Sequence, residues 1–175
     1  MSTRIIAVEN YDSNWPKLYL VEQQRLKMIV GDNIATIHHI GSTAVLGLPA
    51  KPIIDILLEV HDLSVFEKCS SQLIAIGFIA KGENGIAGRR YFQKGDIQRS
   101  HHLHVFQQGS IHALHHLAFR NYLRKHLKVK QQYGQLKKRV AMQCQHNSEV
   151  YMQGKNHFIK QHLTLAMAEN ENIDR

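Results

Sequence analysis

The stretch His38-His39-Ile40-Gly41-Ser42-Thr43-Ala44-Val45-Leu46-Gly47-Leu48-Pro49-Ala50-Lys51-Pro52-Ile53-Ile54-Asp55-Ile56-Leu57-Leu58-Glu59-Val60 decides how this chain is read. It reads as two apolar strands joined by a loop of small residues. An isolated charge is very costly inside a buried strand, so the acids Asp55 and Glu59 within Ile53 to Val60 require partners. They are an even number of residues apart and point to the same face of a strand. The loop supplies the complement. Gly41 and Gly47 let backbone N–H groups approach an anion, and Ser42 and Thr43 offer hydroxyls. A small-residue anion loop beside an acidic strand has the parts of a nucleotide–metal site.

Working outward, Arg4 to Val8 reads as a short strand or an extended lead-in. Asp12-Ser13-Asn14 with Pro16 starts a helix that runs to about Val30, buries Leu18, Leu26 and Ile29, and ends at Gly31-Asp32-Asn33. Trp15 reads as a core residue rather than a base-stacking platform. After the central stretch, Ser64-Val65-Phe66-Glu67 has the form of a capping box. The helix it opens buries Phe66, Leu73 and Ile76 and closes at Gly77. Strand, crossover helix and strand in that order suggest partly parallel pairing around the strand of Asp55.

Phe78 to Lys81, Arg89 to Gln93 and His101 to Gln107 read as three further strands, separated by glycine turns, in a meander that extends the sheet. The glycine-rich loop from Gly82 to Gly88 has no Walker spacing and reads as a mobile surface hairpin. From Ser110 the period becomes helical: Ser110 to His126, Val129 to about Gln145, and Glu149 to Ala168 with Ser148 as cap. Leu136, Val140, Phe158, Leu163 and Ala166 face inward. The polar tail from Glu169 to Arg175 reads as frayed. No repeat or long linker divides the chain. The expectation is one α+β domain over residues 1–175, with a sheet part to about residue 107 and a helical part over about 108–170.

Composition narrows the classes. A chain of 175 residues can bury a proper core. Its 22 Lys and Arg against 14 Asp and Glu give +8, which favours a nucleotide, a nucleic acid or a phosphorylated metabolite, or serves only as a solubilising surface. Cys69 and Cys144 have neither zinc spacing nor the density of a secreted scaffold and read as reduced helix residues. No signal-peptide pattern and no run of 18 apolar residues is present, so a cytoplasmic protein without a membrane partner is expected.

Three ordered motifs carry a resemblance: His39 to Val45 with Gly47-Leu48 and Ala50 to Asp55, then His101-His102-Leu103-His104-Val105, then Phe119-Arg120-Asn121-Tyr122-Leu123-Arg124-Lys125-His126. Together they resemble the GrpB family of nucleotidyltransferase-fold proteins, over nearly the whole chain from about Val8. The chain departs from that pattern at Leu46, where proline is expected, and at Asn121, where aspartate is expected. The resemblance implies a nucleotidyltransferase-like mixed sheet with helices packed on it and a C-terminal helical segment. It also implies that Gly41 and Ser42 hold nucleotide phosphates and that Asp55 holds a divalent metal (magnesium, manganese or zinc) that bridges those phosphates. The second acid of that superfamily falls two residues later, where this chain has Leu57. Glu59 lies a further ~6.6 Å along a strand.

The other candidates come from the residues. His102 and His104 alternate onto one strand face and with Asp55 would make a two-histidine, one-carboxylate set, better suited to a transition metal than to magnesium. The ordinary fate of such histidines is a hydrogen-bonded structural role. Lys51, fixed beside Pro52, either meets a phosphate or forms a salt bridge. Of the adjacent Arg89 and Arg90 only one can face the cleft, and Arg90 is the nominated phosphate ligand. Arg120 and Arg124 form one helical ridge, and they either clamp a phosphate or pair with Asp55 or Glu59. Lys137-Lys138-Arg139 reads as a solvated helix face, and a nucleic-acid footprint is its lesser alternative.

Two functions of different class follow. One is metal-assisted nucleotidyl transfer from a nucleoside triphosphate to an acceptor, with Ser42 and Asp55 as catalytic residues, Gly41, Ser42, Thr43, Lys51, Arg90 and Arg120 as phosphate contacts, and Asp55, Glu59, His102 and His104 as metal ligands. The other is a non-catalytic module of the same fold that binds a nucleotide or another phosphorylated small molecule.

Overall fold

The computed structural model describes residues 5–173, with side chains through residue 170. Helix α1 (Trp15–Val30) precedes strand β1 (Ile34–Ile40), and β2 (Ile54–Val60) follows the small-residue loop. Two short helices, α2 (Leu63–Glu67) and α3 (Ser70–Ala75), lead into β3 (Phe78–Ala80), β4 (Arg90–Lys94) and β5 (His101–Gln107). Three long helices finish the chain: α4 (Ile111–Lys125), α5 (Leu127–Gln143) and α6 (Ser148–Ile173). The five strands lie in the order β1-β2-β5-β4-β3. Only β2 and β5 are parallel, and the other neighbours run antiparallel. The sheet is mixed and the architecture is α+β.

Strand alternation sorts the two faces of this sheet. Ile54, Ile56, Leu58 and Val60 of β2 and Leu103 and Val105 of β5 pack with Trp15, Leu26, Phe66 and Leu73 in one apolar layer under α1, α2 and α3. The alternate residues of the same strands, among them Asp55, Leu57, His102 and His104, face the other way and lie under α4. Leu103 and Val105 therefore turn toward the N-terminal helices. The histidine face takes the side of the C-terminal helices.

Local chemistry accounts for several shifts from the sequence reading. The buried stripe of α1 is Trp15, Tyr19, Glu22, Leu26 and Val30, which leaves Leu18 exposed. Glu22 is tolerated inside because Lys94 at 2.7 Å and Arg25 at 3.1 Å pair with it. Asp62, two residues before the predicted cap, accepts the Ser64 and Val65 amides and caps α2. Asn147 rather than Ser148 accepts the Glu149 and Val150 amides at the start of α6. Glu169 belongs to that helix and is held by Lys125 and His126 at 3.0 and 2.8 Å, so the polar tail begins later than expected.

The loop from Gly82 to Gly88 is also more tied than a free hairpin. Arg89 donates to the carbonyls of Glu83 and Asn84, and Ile86 packs against the apolar group around Leu57 and Phe106, on the Asp55 face of the sheet. Ahead of α1, Glu9 bridges Ala50 in antiparallel fashion, and Ile6 packs against Val140, Cys144 and Tyr151. Arg4, where the predicted lead-in begins, and residues 174–175 of the tail lie outside the described residues.

Candidate active site

β2 delivers one carboxylate to the cleft. Asp55 is paired in register with His102 on β5 and with Ile40, next to Gly41, on β1. The chain must turn sharply at Gly41, where φ is +69° and a Cβ would stand 2.5 Å from Asp55 Oδ2. Only glycine fits a left-handed position with a carboxylate that close. The residues that follow, Ser42–Ala44, form a single 3-10 turn closed by the Ala44 and Val45 amides. Arg124 of α4 clamps that turn by donating to the Ala44 carbonyl at 2.7 and 3.1 Å.

The imidazoles arrive by strand alternation. His102 Nδ1 donates to Asp55 Oδ1 at 3.0 Å, and His104 Nε2 lies 3.6 Å from the same oxygen. The three side chains place one ligand atom each within 4.8 Å of one another. Burial pushes the Asp55 carboxyl up, but the hydrogen bonds and charges of His102 and His104 outweigh it and hold it well below the ordinary carboxylate range. His104 is buried, and desolvation lowers its value against the pull of Asp55. Arg89 stands 3.4 Å from His104 Nδ1, which favours the tautomer with the proton toward Asp55. Tyr91 packs against both imidazoles, and His116 of α4 lies 4.9 Å from His104 between ring centres. His116 is lowered to about 3, chiefly by burial, so it stays neutral.

The opposite wall is helical and basic. Tyr133 of α5 is hydrogen-bonded to Ser42, and burial pushes its phenol up. One turn on, Lys137 is buried, and its ammonium has no hydrogen-bond partner. It sits 4.7 Å over the Tyr133 ring. Tyr151 of α6 carries two more ammoniums over its ring, Lys155 at 4.2 Å and Lys51 at 4.7 Å. Desolvation and the neighbouring lysines lower Lys137 to about 6 and Lys155 to about 8, while Asp55 pulls both the other way. The carboxylate wall and the lysine wall are thus within electrostatic reach of each other.

Two glycines in helices set this approach. A Cβ at Gly134 would come within 3.0 Å of Pro49 in the central loop, and one at Gly154 within 2.6 Å of Val140. Each precedes or follows a site residue, Tyr133 and Lys155 respectively.

A protein-family model described as GrpB protein matches residues 5–164. This chain belongs to the GrpB family. It is 44% identical over 157 residues to the UPF0157 protein YqkA of Bacillus subtilis, an alignment covering 90% of this chain and 46% of that one, so the chain spans less than half the length of that relative. The crystal structure of the conserved protein GrpB from Enterococcus faecalis matches with a TM-score of 0.90 at 39% identity, over 94% of this chain and 99% of that one. A cytoplasmic RNA terminal U-transferase matches with a TM-score of 0.51 at 16% identity, over 74% of this chain and 40% of that one. The last likeness shows the nucleotidyltransferase-like fold alone. Among the described residues no helix is long and apolar enough to cross a membrane.

Within this GrpB-family cleft several nominated residues stand elsewhere. Glu59 is four residues from Asp55, roughly 13 Å along the strand, and accepts from the Thr36 hydroxyl and the Gly109 amide. It is a strand-end anchor away from the Asp55 group. Leu57, in the position of the superfamily's second acid, is fully buried against Ile40 and Phe106. Thr43 is buried, and its hydroxyl is engaged with His39 Nε2 at 2.9 Å and the Ile53 carbonyl at 3.2 Å. Arg90 turns away toward Glu67 and Glu83, and the arginine beside His104 is Arg89. Arg120 donates to the His39 carbonyl and twice to Asn121, and Arg124 to Ala44, and among the described residues neither forms a salt bridge with an acid. Burial and the neighbouring Arg124 lower Arg120 to about 10.

The sequence reading missed Lys137 and Lys155. A signal existed: Lys137 falls four residues after Tyr133 and three before Val140, on the buried stripe of α5, and Lys155 falls four after Tyr151.

Proposed function

We propose that this chain carries out metal-assisted nucleotidyl transfer, moving a nucleotidyl group from a nucleoside triphosphate to an acceptor hydroxyl with release of pyrophosphate. The observation that carries the reading is the convergence of Asp55, His102 and His104 directly beside the Gly41-Ser42 turn. Two imidazoles and a carboxylate are a donor set for zinc, manganese or iron rather than magnesium. A divalent ion held by these three residues would supply Lewis-acid polarisation of a phosphoryl oxygen.

The chain's own groups have separable roles in this reading. Asp55, kept ionised across the working pH range, would hold the charge that the ion needs. Ser42, fixed by Tyr133, and the backbone of the turn would position a phosphate oxygen. Arg124 and Gly41 would keep the turn in shape without touching substrate. Because both imidazoles face Asp55 as proton donors, metal loading must displace protons and so weakens as pH falls.

The non-catalytic alternative rests on Leu57, which leaves a single carboxylate where two-metal chemistry uses more. One experiment addresses both. Calorimetric titration with manganese and zinc is expected to give saturable binding that Asp55→Asn weakens by at least about 100-fold, with the melting temperature little changed. The loaded protein is then given nucleoside triphosphates and an RNA or small hydroxyl acceptor. Pyrophosphate release marks the enzyme. Metal-dependent nucleotide binding without release marks the binding module, and metal binding untouched by Asp55→Asn overturns the site.

A further inference from the structure

We propose that the outward face of α5, together with the cavity between α5 and α6, binds single-stranded nucleic acid, with cations on the helix meeting phosphates and the cavity taking a base. This surface lies on the far side of α5 from the buried Tyr133 and Lys137. It is separate from the Asp55 cleft and does not depend on a metal there.

Charge is segregated along the chain. Nine of the 22 Lys and Arg and none of the 14 Asp and Glu fall between residues 97 and 148. That span carries +9, while the rest of the chain, with 13 basic and 14 acidic residues, carries −1. Lys137 is one of the nine and is buried, so the exposed charge of α5 comes from Lys128, Lys138 and Arg139. None of these three forms a salt bridge among the described residues. Lys138 donates to Asn10 at 2.8 Å, a neutral partner that orients the ammonium without cancelling its charge. From Lys128 to Arg139 every exposed side chain of α5 is a cation or a glutamine. Such a face attracts a polyanion. A helix that lies on a membrane needs large apolar side chains on its outer face, and this stretch exposes none.

The cavity beside that face chooses among polyanions. It measures about 390 Å³ and lies between α5 and α6. Gln132, Gln135 and Arg139 line it from α5, at the i, i+3, i+7 spacing that shares one helix face, and His157 and Gln161 line it from α6 at i, i+4. Phe158 adds apolar surface, and no carboxylate is among the lining residues. Three of the polar groups are amides, each with a donor and an acceptor side by side. A base edge matches that pair, since one glutamine can hold a base through two hydrogen bonds at once. An acidic protein surface would satisfy the cations but has no flat, donor–acceptor edge to fill the cavity. A duplex keeps its bases stacked and paired, so a base free to enter belongs to a single strand. Arg139 stands on both the exposed face and the cavity wall, which joins phosphate contact and base contact at one residue.

Fluorescence anisotropy of the full chain with a labelled single-stranded RNA of about ten nucleotides, in excess chelator, tests the surface. Binding is expected to be saturable, and log affinity should fall with log salt at a slope of about −2, from ~0.7 for each of three phosphate contacts. The combined variant Lys128→Gln, Lys138→Gln, Arg139→Gln is expected to weaken binding at low salt by at least about tenfold and to flatten that slope. Gln132→Ala with Gln135→Ala should weaken binding at least about fivefold and leave the slope as it is. All five positions are exposed, so the melting temperature should stay at the wild-type value. Asp55→Asn should bind RNA as wild type does. A single-stranded DNA of the same sequence that binds more weakly identifies RNA, read through its 2′-hydroxyls, and equal affinity identifies either strand as a ligand. Wild type that ignores RNA at low salt, or charge variants that bind it as wild type does, overturns the surface. A glutamine-pair variant with wild-type affinity overturns the base cavity, and a duplex or polyglutamate that competes as well as the single strand shows a nonspecific cationic face and overturns the proposal. Failure of metal loading with these results intact would sink only the transferase reading.

Discussion

The two walls of the cleft were built by different rules. Asp55, His102 and His104 stand on adjacent parallel strands, and the Asp55 carboxylate is answered by imidazoles at 3.0 and 3.6 Å. Lys137 and Lys155 stand on packed helices, and Lys137 is answered by an aromatic face alone. On the sheet wall the carboxylate is answered by two imidazoles, although His102 Nε2 is left without a partner among the described residues. The helical wall carries an unfavourable term, the burial of Lys137 and Lys155, which lowers both amines. That contrast teaches where the fold carries its cost: on the helices, where a lysine is buried against an aromatic face, rather than on the strands, where a carboxylate is met by imidazoles.

The sharpest way to break the contrast is to remove the stored term. Lys137→Met should raise stability at pH 7 by at least about 1 kcal/mol, because the fold holds as a neutral amine a group that the unfolded chain keeps protonated there. The pH dependence follows from the sign. Lys137 falls to about 6 in the fold from 10.5, chiefly by burial, so between those values the unfolded chain binds the extra proton. Wild-type stability therefore rises with pH from about 6 to 10.5, with a slope of at most ~1.4 kcal/mol per pH unit. Lys155, lowered to about 8, adds its slope only above that value. The lowered histidines, His38, His39, His101, His104, His116 and His162, act below 6.5. Chemical denaturation between pH 7 and 8 thus isolates Lys137. A wild-type slope that survives in the variant would place the stored cost elsewhere.

The next test moves the helical wall without touching its charges. Gly154→Ala puts a methyl 2.6 Å from Val140 Cγ1. The overpacking is expected to cost about 1–3 kcal/mol and to displace α6 from α5. Pairing it with Val140→Ala should recover part of the loss, because the two changes share one contact. In the same variant, metal affinity at the sheet wall should change little, because Gly154 and Val140 touch neither Asp55 nor its imidazoles. A tenfold loss of metal affinity would show that the walls are one unit.

Legibility followed the same divide. Period-two alternation told which of His101 to His104 would stand beside Asp55, because a strand allows only two faces. Gly41 was legible as a loop glycine, though its close approach to Asp55 needed coordinates. Lys137 was hidden because Lys137-Lys138-Arg139 resembles a solvated ridge, and a helix with polar residues nearly all round does not announce which one is buried. Arg120 and Arg124 were read for their charge, but they serve as caps for backbone carbonyls, a use that sequence spacing cannot separate from an ion pair. Glu59 failed for a simpler reason: sharing a face is necessary for sharing a site, and four residues of strand are too far.

The smallest expected effect concerns Asn121, where the GrpB pattern suggests aspartate. Its side-chain oxygen accepts Arg120 Nε and Nη2 at 3.0 and 2.8 Å, so the amide already reproduces the two-pronged geometry that a carboxylate would make. Asn121→Asp adds charge to an existing contact rather than creating one. The position is exposed, and an exposed pair contributes at most about 1 kcal/mol. The change should therefore alter the midpoint of denaturation by no more than about 0.5 kcal/mol in equivalent stability. Its informative consequence is electrostatic. A carboxylate there raises Arg120 from its lowered value and screens the positive field at the end of β1, where Arg120 holds the His39 carbonyl. Metal affinity at Asp55 should then change by less than about twofold, since the new charge is exposed and paired with Arg120. A tenfold gain in metal affinity would mean that the α4 arginines set the electrostatics of the sheet wall and that the boundary between the two walls lies on α4.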